Sequence, residues 1–229
     1  MKTAKENVTE LELMVLDRLG KDGFRKKKRN QFIRLVDECI QDITLLEYKT
    51  RGKDEINIMA NYSFTYANIE KCISYMQGIK YDNVWSTGTS TLCNALNEKE
   101  YINYYINGST DVEPLADIII KSIKKFAFPF WEKCNTYDKF RAELFDENTE
   151  VRWNMVLCNN EEWNKIALSL IYNDGCVDKI IEHYKDKLED TACVVFSECI
   201  PRIERLREEF EHGTGFEFLE EYRKFGIRE

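Results

Sequence analysis

The chain has 229 residues, of which 43% are hydrophobic and 32% are charged, so its composition is that of a globular protein and excludes a disordered or collagen-like chain. The 33 Lys and Arg residues and 41 Asp and Glu residues give a net charge of −8, which disfavours general binding of DNA or RNA. No apolar segment follows the N-terminal charges, and the longest apolar run, 126–131, is too short to span a bilayer. We therefore expect a cytoplasmic protein that does not enter the membrane.

Hydrophobic periodicity predicts a helix at the start of the chain. Val8, Leu11, Val15 and Leu19 recur at helical spacing, which indicates a helix over about residues 5–20. A basic run follows this helix.

After the basic run the period changes to two, which is typical of strands. The alternation from Ile56 to Phe64 predicts the clearest half-buried strand of the chain. Short turns near 37–38 and 51–54 join it to earlier strands, so neighbouring strands must be antiparallel. One further strand is predicted from Gln31 to the turn at 37–38, and three others are predicted at 40–48, 84–92 and 101–106.

Beyond residue 110 the pattern becomes helical. Asp111 is the predicted cap of a long helix, Pro114 lies in its first turn, and Pro129 is expected to end or kink it. Further helices are predicted at 136–145, from Asn160 to Asp174, around 180–188, from Pro201 to Gly213, and around 218–225.

This order predicts an α+β fold, in which an N-terminal helix and an antiparallel sheet of about four or five strands precede a mostly helical C-terminal half. Residues 1–150 and 151–229 are the two predicted regions. Because no linker-like composition separates them, we expect one continuous unit with a soft boundary near 146–160.

Several short motifs in the first half resemble a bacterial domain family of unknown function. They are Gly23-Phe24-Arg25-Lys26-Lys27-Lys28, Phe32-Ile33-Arg34, Ile40-Gln41-Asp42-Ile43 and Phe128-Pro129-Phe130-Trp131. The resemblance covers about residues 5–146 and implies an antiparallel α+β fold, but no activity and no functional residues. Leu45-Leu46-Glu47 stands where the family usually has a second Gln or Asn, so no shared polar site is implied on that strand.

The basic run is the first candidate binding segment, because lysine and arginine contact phosphate without special geometry. The alternative, which we favour, is a solvated loop and an edge strand that its lysines protect from aggregation. The candidate residues are Arg25, Lys26, Lys27, Lys28, Arg29 and Arg34.

Aromatic residues form the second candidate surface. Tyr62, Phe64 and Trp85 can line a groove or a protein interface, where aromatic side chains dominate the binding energy. Packing in the core is the alternative that we favour for each such residue.

The cysteines and histidines predict no catalytic or metal site. The eight cysteines form no Cys-x-x-Cys pair, and their apolar neighbours, as at 191–196, predict reduced and buried thiols. Cys176 and His183 are candidates for a dyad, but a half-buried thiol and a surface histidine are the simpler interpretation. His212 follows Glu208 and Glu209, yet the second half of a di-metal motif is missing, so we predict no metal and no cofactor.

Three classes of function remain open. The first, which we favour, is a non-enzymatic protein-binding module. One form of such a module is an immunity-type protein that neutralises a basic partner. The second is a small-molecule or nucleic-acid binder that uses the sheet face and residues 25–29. The third is an enzyme whose site is assembled from dispersed residues.

Overall fold

The computed structural model describes residues 2–81, 86–91, 104–146, 156–157 and 161–225. These residues form nine helices and seven strands. The helices are α1 (Ala4–Gly20), α2 (Ala67–Gln77), α3 (Val112–Lys133), α4 (Tyr137–Phe145), α5 (Glu161–Tyr172), α6 (Val177–Lys185), α7 (Asp190–Ser197), α8 (Ile200–Glu211) and α9 (Gly215–Phe225). The strands are β1 (Arg25–Lys28), β2 (Gln31–Val36), β3 (Cys39–Lys49), β4 (Glu55–Tyr66), β5 (Gly88–Thr91), β6 (Tyr104–Asn107) and β7 (Val156–Leu157).

The predicted N-terminal helix is confirmed as α1. Thr3 caps it through a reciprocal pair of hydrogen bonds with Glu6, which satisfies amide groups that the first turn leaves free. Its helically spaced apolar residues, Val8, Leu11, Val15 and Leu19, are buried as the periodicity requires.

The antiparallel sheet is also confirmed. The strand order is β1-β2-β3-β4-β5-β7, and β6 pairs with β4 beside this path. The pairs β1–β2, β2–β3, β4–β5 and β4–β6 are antiparallel. The long strand β4 pairs with β5 through residues 61–64 and with β6 through residues 55–58.

Alternate residues of β4 point into the core, as its sequence predicts. Ile56, Ile58, Ala60, Tyr62 and Phe64 are buried, whereas the intervening Asn57, Met59 and Asn61 are only half-buried. The indole N–H of Trp131 in α3 donates a 3.0 Å hydrogen bond to the carbonyl of Ser63. This bond ties the helix to the strand next to the buried aromatic side chains.

The structure differs from the expectations in two respects. Pro129 was expected to end or kink α3, and it does not end the helix, which continues to Lys133. Pro129 is exposed, so water can satisfy the carbonyl that loses its helical donor. The helices α2 and α7 were not predicted, since neither sequence has the long amphipathic pattern that periodicity detects. The predicted strands 84–92 and 101–106 lie partly outside the described residues, and within the described residues they overlap β5 and β6. The predicted cap Asn160 also lies outside them.

The chain divides into two compact units, each built from separate segments. Unit 1 comprises Met1–Phe64, Gly88–Glu143 and Asn148–Val156, and unit 2 comprises Thr65–Thr87, Leu144–Glu147 and Leu157–Glu229. Residues 65–87, from the first half of the sequence, therefore belong to the same unit as the C-terminal helices. Among the described helices, none combines the length and the apolar character needed to cross a membrane.

Candidate functional site

The first four residues of the basic run form the edge strand β1. The side chains of Arg25, Lys26, Lys27 and Lys28 are all exposed, and the pairing with β2 shifts register between Lys26 and Lys28. Lysines and irregular pairing on an edge strand discourage association with other strands. The exposed cations of β1 fit the interpretation of a protected, solvated edge.

Arg29 differs from the four cations before it. Its guanidinium forms ion pairs with Glu12 at 3.3 Å and with Glu47 at 3.4 Å. The Glu12 carboxylate is buried, and this burial raises its pKa, whereas Arg29 acts in the opposite direction. Arg29 thus compensates a buried charge within unit 1.

Arg34 lies over a cluster of three aromatic rings. Its guanidinium carbon is 4.7 Å from the ring centre of Phe24, 4.5 Å from that of Phe128 and 5.5 Å from that of Trp131. Its Nε donates to Gln41 Oε1 at 2.7 Å, and an Nη donates to the carbonyl of Asp22 at 3.0 Å. These contacts give Arg34 a packing role in unit 1.

Residues from the short sequence motifs meet around the Arg34 guanidinium. Phe24, Arg34, Gln41, Phe128 and Trp131 come from four separate motifs and meet at one place in unit 1. Burial lowers the pKa of Arg34, but the nearby Asp22 opposes this effect.

The aromatic candidates do not form an accessible surface. Tyr62 and Phe64 are fully buried, and both rings pack against Phe130 at centroid distances of 5.2 and 5.7 Å. They belong to the core of unit 1, as the favoured interpretation has it, and the candidate groove at Tyr62 and Phe64 is wrong. Trp85 lies outside the described residues.

Sequence reasoning missed a buried carboxylate on β3. Asp42 is 6% exposed, and it accepts hydrogen bonds from the side-chain amide of Gln31 and, at 2.8 Å, from the hydroxyl of Thr44. Burial raises the pKa of Asp42, although both hydrogen bonds lower it in part. The signal was an aspartate inside an apolar strand, Ile40-Gln41-Asp42-Ile43, where an acidic side chain is unusual.

The structure does not bring Cys176 and His183 together. Cys176 is the residue that caps α6, and His183 is exposed in the last turn of the same helix. Seven residues of helix separate them by about 10 Å, which is beyond hydrogen-bond reach. Within the part of the chain that the structure describes, no group of three or more His, Cys, Asp or Glu side chains lies close enough to hold a metal ion.

The negative charge of the protein is concentrated in unit 2. The sequence of unit 1 has 21 Lys and Arg residues and 20 Asp and Glu residues, whereas that of unit 2 has 12 and 21. Unit 2 thus carries the whole excess of negative charge.

Many cations of unit 2 are already paired with carboxylates of the same unit. Arg207 contacts Asp178 at 2.6 Å, and Arg205 contacts Glu209 at 2.7 Å. Glu182, Glu208 and Glu217 are exposed and form no ion pair within the described structure. Other paired cations of unit 2 are Lys71, Lys165 and Lys187.

Comparisons of the chain with protein-family models, with curated proteins and with solved structures give no match.

Proposed function

We propose that the chain is a non-enzymatic protein-binding module whose acidic unit 2 receives a basic protein partner. The observation that carries this proposal is the partition of charge, because unit 1 is nearly neutral and unit 2 has 21 acidic against 12 basic residues. Complementary charge accelerates association and selects against partners of the wrong sign. An immunity-type protein that neutralises a basic toxin would have this charge.

The decisive experiment is affinity capture of the tagged full chain from an extract of its native host, at low and at moderate salt, followed by mass spectrometry. The test variant carries Glu182→Lys, Glu208→Lys and Glu217→Lys, three exposed acids of unit 2. The matched control carries Asp17→Lys, Glu38→Lys and Glu132→Lys, three exposed acids of unit 1, so that both variants change the net charge equally.

We expect one basic partner in near-stoichiometric yield, lost from the unit 2 variant and retained by the unit 1 variant. Increasing salt should weaken the complex, since exposed charges are screened over about 8–10 Å at physiological ionic strength. A partner that both variants capture equally well would contradict the proposal.

A second candidate function is binding of a polyanion, and the exposure of all four residues of β1 favours it. A fluorescent single-stranded oligonucleotide tests this candidate, because phosphate neutralisation predicts an affinity that falls steeply with salt. Replacing Lys26, Lys27 and Lys28 by Gln should then abolish binding. Replacing the exposed Lys49, Arg51 and Lys53 by Gln, at the end of β3 and in the turn before β4, should not.

A further inference from the structure

Helix α7 exposes apolar side chains that its sequence would place in a core. Its residues Asp190–Ser197 read Asp-Thr-Ala-Cys-Val-Val-Phe-Ser, and Phe196 is its buried residue. Val194 is 63% exposed and Val195 is 59% exposed. Amphipathic helices of globular proteins normally turn such residues inward, so this outward face needs an explanation.

The orientation of α7 follows from the packing of Phe196. The Phe196 ring meets Trp163 of α5 at a centroid distance of 5.2 Å and Tyr184 of α6 at 4.9 Å. Aromatic contacts of this kind add to the burial of the rings and hold the helix against unit 2. Since Phe196 points inward, Val194 and Val195 are turned away from that contact.

The outer face of α7 combines apolar and acidic groups. Asp190, Val194 and Glu198 recur at intervals of four residues, which aligns them along one side of the helix. An open hollow on this side is lined by Asp190, Cys193, Val194, Ser197 and Glu198. Asp190 begins α7 and Glu198 directly follows it, and both are exposed and form no ion pair within the described residues.

We infer that this outer face of α7 is the docking surface of the module, and that its occupant is a basic protein segment with apolar side chains between its Lys or Arg residues. The inference rests on the proposed function and identifies where the partner binds. Apolar contact with Val194 and Val195 would supply burial, and the two carboxylates would pair with the flanking cations.

The same charges select this occupant over two others. A second copy of the chain would bring its own Asp190 and Glu198 against this face, and like charges in contact oppose association. An anionic membrane surface would be repelled for the same reason.

The experiment uses the full chain and three synthetic peptides of about 18 residues, long enough for about five helical turns. One is an amphipathic peptide of Leu and Lys, the second contains Lys without Leu, and the third has the Leu pattern with Glu in place of Lys. Their affinities are measured by fluorescence anisotropy.

The test variant is Val194→Ser with Val195→Ser. The matched control is Leu13→Ser with Ile118→Ser, which replaces residues of unit 1 that are 55% and 53% exposed. Circular dichroism checks that all variants are folded.

Wild type and the control should bind the Leu/Lys peptide about tenfold more tightly than the Lys peptide, a difference of about 1.4 kcal/mol. The test variant should lose this preference and still bind both cationic peptides. If the preference persists in the test variant, the inference is wrong. The proposed function would still stand in that case if binding depends on salt and the unit 2 charge variant loses it. If neither cationic peptide binds better than the Leu/Glu peptide, the proposed function fails as well. Sedimentation that shows a dimer of wild type and a monomer of the test variant would overturn the inference in favour of a self-interface.

Discussion

The guanidinium carbon of Arg34 lies 4.5 Å from the centre of the Phe128 ring, so that a strand near the start of unit 1 is joined to the end of its longest helix. Phe24 and Trp131 complete the cluster beneath the same guanidinium. A planar cation suits this position because it can stack on rings with its faces while its edges donate hydrogen bonds.

Replacing Arg34 should destabilise the protein strongly. Arg34→Ala removes the contacts with three rings and leaves Oε1 of the buried Gln41 without its donor, so we expect the free energy of unfolding to fall by about 2–3 kcal/mol. Arg34→Lys should recover only part of this loss, since an ammonium cannot reproduce the planar fork. Urea denaturation measures both. Arg25→Ala, on the exposed strand β1, is the control and should stay close to wild type. A comparable loss in both alanine variants would contradict the role of the cluster.

Two glycines of unit 2 allow backbone strain and steric contact to be separated. Gly78 ends α2 with a φ of 69°, and Gly175 has a φ of 70°. A Cβ at Gly175 would meet no atom within 4 Å, but a Cβ at Gly78 would lie 3.1 Å from the guanidinium carbon of Arg202. Arg202 cannot move freely, because its Nε donates a 2.9 Å hydrogen bond to the carbonyl of Met76.

We therefore expect Gly175→Ala to cost about 1 kcal/mol, which is the penalty of the left-handed conformation, and Gly78→Ala to cost clearly more. Thermal denaturation of the two variants provides the comparison. Equal losses would mean that Arg202 accommodates the added methyl group.

The buried carboxylate of Asp42 should make stability depend on pH. Burial raises the pKa of Asp42 in the folded protein. In the pH range between the unfolded-state pKa of about 3.9 and this raised pKa, Asp42 is protonated in the folded state and largely ionised in the unfolded state. In that range the folded state binds more protons than the unfolded state, so the contribution of Asp42 to stability falls as the pH rises.

Asp42→Asn removes this titration. The free energy of unfolding of Asp42→Asn, minus that of wild type, should therefore increase between about pH 3 and about pH 7. Thr44→Val should steepen the dependence in a protein that keeps Asp42, because the Thr44 hydroxyl stabilises the ionised carboxylate. Urea titrations at several pH values test both. A difference between Asp42→Asn and wild type that is constant with pH would show that Asp42 is not responsible.

The thiols should differ in their reactivity in the folded protein. Cys176 and Cys193 are half-buried, whereas Cys72 and Cys134 are buried, and burial raises the pKa of both buried thiols. Among the cysteines that the structure describes, a maleimide should modify Cys176 and Cys193 first, and Cys72 and Cys134 only on unfolding. Peptide mass spectrometry over time follows each residue. Rapid modification of Cys72 in the native protein would contradict the packing of α2.

The sequence predicted the elements whose patterns are local and regular. The helical spacing from Val8 to Leu19 and the alternation from Ile56 to Phe64 lead directly to α1 and β4. The order of elements was enough for the α+β class. Helix α2 was not predicted, and its burial could not be predicted from residue type, because its charged residues Glu70 and Lys71 are among the seven that are buried.

The candidate surfaces were less predictable because exposure depends on neighbours from distant parts of the chain. Tyr62 stands between polar residues and Val194 stands in an apolar run, yet Tyr62 is buried against α3 and Val194 lies on the surface. The sequence places Arg34 near a basic run, but in the structure its guanidinium lies over three aromatic rings from other segments.

Composition gives the net charge without any knowledge of the fold. Periodicity depends on residues close together in the chain, and it was sufficient to predict the class of fold and most helices and strands. The tertiary structure alone defined the two units, buried Asp42, placed Arg34 over three aromatic rings and turned α7 outward. Each of these outcomes depends on contacts between residues far apart in the chain, and no local pattern contains the identity of such neighbours.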